Sequence, residues 1–87
     1  MNGWGRKVAK RRVRLFFSTR LITEPIVYLM GKNFEIVTNI RGGEIVSDSG
    51  WLYLELSGED DEIDRAIEWA IEQGVRVDPV EGDIIAG

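Results

Sequence analysis

No cysteine and no histidine occur among the 87 residues of this chain. Without cysteine there are no disulfides, no thiolate zinc sites, no cysteine-held iron–sulfur clusters and no thiol nucleophile. Without histidine the chain lacks the commonest general base, the commonest metal ligand and the usual activator of a serine nucleophile. The two absences together predict a protein that is not an enzyme and carries no cofactor. Long apolar runs are missing too. Near the N-terminus the longest is Leu15 to Phe17, too short for a signal-peptide core or a membrane span, so a cytoplasmic protein without a membrane partner is expected.

What is present is a chain with 44% hydrophobic residues, near the size at which a single core is only just sufficient. A homodimer or higher homo-oligomer is therefore expected. Charge is divided unevenly. Residues 1–20 carry seven cations and no acid, whereas the rest sets four cations against all fifteen acids, for a net charge of −4. We read a flexible basic arm over 1–11, a folded domain over 12–80 and a loose tail over 81–87. The arm could serve RNA or an anionic surface, but the acidic body would repel a polyanion at close range, which favours a solvated leader.

The fold class is written in the hydrophobic period. In WLYLELS, Leu52, Leu54 and Leu56 share one face of a strand, with Trp51, Tyr53 and Glu55 on the other. Next, Ile63, Ala66, Ile67, Ala70 and Ile71 fall at helical spacing, and Gly74 supplies a stop before Val75 and Val77 resume alternation. Ser57 followed by Asp60 predicts a capping box, with the acids Glu59 to Glu62 at the positive end of the helix dipole.

A less regular copy lies upstream. A strand over about 12–17 places Val13, Leu15 and Phe17 on one face and Arg14 and Phe16 on the other. Thr23, Glu24 and Pro25 predict a helix start, and Ile26, Leu29 and Met30 its buried stripe. A second strand alternates Ile36, Thr38 and Ile40 with Val37, Asn39 and Arg41. Gly42-Gly43 reads as a bulge, since it lacks the spacing of a phosphate-binding loop, and Asp48-Ser49-Gly50 reads as a hairpin turn. The order β-α-β-β-α-β predicts an α+β, ferredoxin-like domain, a four-stranded antiparallel sheet with both helices on one face.

The other sheet face should then expose Phe16, Trp51 and Tyr53 beside Arg14 and Glu55. RNA-recognition motifs share this topology and stack bases on aromatics of strands 1 and 3. Here Gly50, Trp51 and Tyr53 fit the motif, but Leu52 fills its small slot, Leu56 replaces its last aromatic and no basic residue leads it. On that partial match nucleic acid is not an expected partner, and the preferred reading is that this face, or the edge of strand 2, packs against a second copy. No metal site is expected, because the acids follow no defined ligand spacing.

Four segments, TEPIV from Thr23, FEIVTNIRGG from Phe34, GWLYLELSG from Gly50 and AIEWAIEQGVRV from Ala66, resemble the NIL domain in order and spacing. That family is a ferredoxin-like, ACT-like module known at the C-terminus of methionine-transporter ATPase subunits, alone, or fused to iron–sulfur domains. The resemblance implies a dimeric regulatory domain that binds methionine or a related amino acid near the subunit interface. By motif, Asn39-Ile40 matches the family's ligand-site asparagine and the apolar residue after it, with Arg41 and Gly42 adjacent. On this reading Asn39 hydrogen-bonds the ligand backbone, Arg41 pairs its carboxylate, and Ile22, Pro25 and Ile40 contact an apolar side chain. The competing reading is an accessory protein of sulfur-amino-acid metabolism that contacts a larger metabolic or iron–sulfur protein.

Overall fold

The computed structural model describes residues 8–18, 25–46 and 48–80. Six elements follow in the order β1 (Ala9–Ser18), α1 (Ile26–Asn33), β2 (Ile36–Val46), β3 (Ser49–Gly58), α2 (Asp60–Glu72) and β4 (Arg76–Pro79). The strands form one antiparallel sheet in the order β2-β3-β1-β4, so β2 and β4 are its edges. This is the ferredoxin-like arrangement, with both helices on one side.

Alternation sets the two faces. Val13 and Leu15 on β1, Ile36 on β2, Leu54 and Leu56 on β3, and Val75 just before β4 are buried with Ile26 and Met30 of α1 and Ile63, Ala66 and Ala70 of α2. Among the described residues no polar or charged residue is buried in this core. No described helix is long and apolar enough to cross a membrane.

Several local expectations need correction. β1 takes in Ala9, Lys10 and Arg11, which the sequence assigns to the basic arm; they pair with Gly58, Ser57 and Leu56. Ser57 is not a helix cap. It is held in the sheet between Lys10 and Val37, because β3 has a ladder on both sides; Glu59 takes the N-cap position and makes no side-chain cap. Pro25 takes that position on α1, its carbonyl accepting from the Leu29 N–H at 3.0 Å, so the first turn holds no acid; Thr23 and Glu24 lie outside the described residues. The hairpin turn falls before Ser49, which already pairs with Val46.

Ile71 also leaves the predicted stripe, being 51% exposed. At about 100° per residue it stands roughly 80° around the helix from Ile63, past the edge of the sector that the core covers. The end of α2 follows the expected stop closely. Gly74 has φ 101°, its N–H bonds to the Ile71 carbonyl at 3.0 Å, and the Val75 N–H bonds to the Ala70 carbonyl at 3.1 Å. That pair of bonds is a Schellman motif, and it turns Val75 straight into the core.

Candidate functional site

The edge strand β2 is where the regular pattern breaks. Ile40 pairs with Leu54 and Gly42 with Tyr53, so Arg41 is the extra residue of a bulge, where the double glycine predicted one. Gly43 lies close against β3: a Cβ there would stand 2.6 Å from the Trp51 carbonyl oxygen and 2.6 Å from Leu52 Cδ2. Gly42 has nothing within 4 Å of its notional Cβ. One glycine is thus required by a close approach, while the other leaves a gap on the surface.

Strand alternation divides the candidate residues between two faces. Thr38 and Ile40 pair with the inward residues Leu56 and Leu54, so they face the helices. Asn39 pairs with Glu55 and lies exposed on the opposite side. Arg41 joins it there, its Nη1 donating to Glu55 Oε1 at 3.3 Å. Glu55 also lies 3.9 Å from Arg12, so this half-buried carboxylate sits between two guanidinium groups. A carboxylate ligand at Arg41 would share the fork with Glu55 or displace it.

On the helix side, Pro25 and Ile40 come together at the rim of a cavity of about 290 Å³. Its walls are Leu15, Phe17, Val27 and Leu52, almost wholly apolar. Phe17 and Val27 are the residues that sequence reasoning missed as cavity walls. Their signal is the apolar end of β1 and the apolar start of α1 on either side of the connection. Ile22, the sixth candidate, lies outside the described residues. Within one copy, therefore, Pro25 and Ile40 share a cavity on one side of β2, and Asn39 and Arg41 share the face on the other.

A larger groove, about 650 Å³, runs beside the part of β1 that β4 is too short to cover. Most of its charges are paired: Arg12 lies 3.9 Å from Glu55, and Arg11 Nη2 donates to Asp64 Oδ1 at 2.7 Å and to the Asp60 carbonyl at 3.1 Å. Arg11 thus ties β1 to the start of α2. No group of histidine, cysteine, aspartate and glutamate side chains able to hold a metal occurs among the described residues.

The sequence profile of the NIL domain matches residues 11–79. This chain belongs to the NIL domain family. A search of curated protein sequences returns no match. Among solved structures, the NIL domain described here is similar to the C-terminal domain of an ABC transporter ATP-binding protein from Enterococcus faecalis. The two share 26% identity with a TM-score of 0.75, over 83% of this chain and 84% of that one. The matched segment contains β1 from Arg11 onward, both helices, the β2 bulge and β4, so every candidate residue lies within it.

Proposed function

We propose that this NIL domain is a non-catalytic, cytoplasmic regulatory module that binds methionine or a related amino acid at the interface between two copies. The observation that carries the reading is the division of the site by β2. An apolar cavity, right for an unbranched thioether side chain, opens on one side of the edge strand, and an amide and a guanidinium stand on the other. One copy offers an amino acid only half of what it needs. A second copy set against this edge with its sheet turned over would bring its Asn39 and Arg41 toward the first copy's cavity.

The edge itself favours such an approach. Val37, Ile40, Ile45 and Val46 of β2 are each more than half exposed. A long apolar edge strand left unpaired is a standing invitation to a further strand. The likeness to the C-terminal domain of a transporter ATP-binding protein supports a regulatory role, in which ligand occupancy is read by a larger assembly.

Calorimetry with L-methionine and L-homocysteine, paired with sedimentation, tests the proposal. Binding is expected at or below millimolar ligand, with Asn39→Ala weakening it at least several-fold. Val37→Lys together with Ile45→Lys should yield a folded monomer that no longer binds. The reading is wrong for this protein if neither amino acid releases heat at millimolar concentration and Asn39→Ala changes nothing.

A further inference from the structure

The sheet face away from the helices plays no part in the cavity, and its make-up is specific. Phe16 on β1 pairs with Trp51 on β3, and Arg14 pairs with Tyr53, so three rings occupy adjacent positions on the two central strands. The Arg14 guanidinium lies 5.2 Å from the centre of the Trp51 ring and 5.9 Å from that of Tyr53. Arg76 lies 5.0 Å over Phe16. Arg14 makes no ion pair among the described residues, whereas Arg76 is held by Asp78.

We propose that this face binds single-stranded nucleic acid, the bases stacking on Trp51, Tyr53 and Phe16 and the phosphates meeting Arg14 and Arg76. Charge supports a polyanion over a neutral protein surface. By strand register the face carries Lys10, Arg12, Arg14, Arg41 and Arg76 against Glu44, Glu55 and Asp78, a positive balance on a protein of net charge −4. A neutral partner would have to strip water from Arg14 without giving it an acid, which is costly. A phosphate backbone supplies that acid, and a base can slide between ring and guanidinium without losing either contact.

The objection raised by the sequence, repulsion by an acidic body, is weakened by the layout. Seven acids lie between Glu59 and Glu72, on the helix layer. Cα positions span 16 Å along the thinnest axis of the molecule, and charges beyond about 8 Å are largely screened at physiological salt. The departures from the RNA-recognition motif lose force as well. Leu52 and Leu56 alternate with Trp51, Tyr53 and Glu55 and pack toward the helices, so neither bears on stacking. The basic residue missing before Gly50 is replaced by Arg14 and Arg76 from the neighbouring strands.

Fluorescence anisotropy with labelled RNA and DNA strands of about 12 nucleotides tests this, with salt raised from about 50 to 200 mM. We expect binding that weakens with salt. Trp51→Ala should reduce it roughly tenfold, and Tyr53→Phe should retain it, since stacking needs the ring and not the hydroxyl. Arg14→Ala should reduce the logarithmic salt slope by about 0.7, the value for one single-strand phosphate contact, while Arg14→Lys keeps the slope. Unchanged melting temperatures would show that the variants remain folded. The proposal is overturned by no binding at the lowest salt. It is equally overturned if Trp51→Ala leaves binding intact while deletion of residues 1–7 abolishes it, or if Trp51→Ala turns a dimer into a monomer, which would assign the face to a second copy.

Discussion

Gly42 and Gly43 are neighbours in sequence with opposite demands. A methyl group on Gly43 would collide with the Trp51 carbonyl and with Leu52, and the carbonyl belongs to a strand paired on both sides, so it cannot retreat. Gly43→Ala is expected to destabilise the fold by about 1–3 kcal/mol, the usual cost of forcing extra volume into packed structure. Gly42→Ala, facing open space, should change stability by no more than about 0.5 kcal/mol. Chemical denaturation of the two variants checks both values, and equal losses would show that the bulge needs glycine for its backbone shape at both places. The pair reads as a bulge in sequence, yet which glycine matters is not legible there, because the answer depends on how closely β3 passes.

Among the elements, α2 separates what periodicity can reveal from what it cannot. The stripe Ile63, Ala66, Ala70 is fully buried, and Ile63 touches the core from the first turn. Ile63→Ala should cost about 2–5 kcal/mol, whereas Ile71→Gln should leave the melting temperature nearly unchanged. A comparable loss at Ile71 would mean that a partner covers that turn. Spacing identified the helix, its direction and most of its buried side. It does not set how wide a sector the sheet covers, which is why Ile71 fits the stripe by spacing and yet lies exposed. The caps were less legible for a related reason. Ser57 and Asp60 have capping-box chemistry, but the ladders to β1 and β2 carry Ser57 into the sheet, and tertiary pairing outweighs a local motif. The candidate site is legible in part. Alternation alone sets Asn39 and Arg41 on one face and Ile40 on the other, whereas the register shift after Ile40, which fixes where Gly42 and Gly43 pair, needs β3 to define it.

Across the whole molecule, the absence of histidine and cysteine has a direct physical consequence. No side chain has an ordinary pKa between those of the carboxylates and tyrosine. The arginines do not bring one into range. The Arg65 guanidinium is raised first by its hydrogen bond to Glu62 and then by the charge of Glu62, and Arg76 is raised in the same way by Asp78. A cation whose folded pKa lies above its unfolded one gives a contribution fully present below the unfolded value and lost only above the folded one. For arginine both lie far above neutrality. The melting temperature should therefore stay within about 2 °C from roughly pH 6 to pH 9. A calorimetric scan across that range checks it, and a marked slope would point to a titrating group at the chain terminus or in an assembly.

β1 is synthesised first but stands inside the sheet, between β3 and β4. Both of its hydrogen-bonding edges are therefore filled by strands that leave the ribosome later, and Val13 must wait for Pro79. A nascent chain halted before Arg76 would hold Val13 and Leu15 on a strand open to any passing edge. The sheet closes only by a long-range pairing of high entropic cost. The sheet is accordingly completed only when β4 emerges, and a ribosome stalled within α2 carries β1 with its β4 edge uncovered.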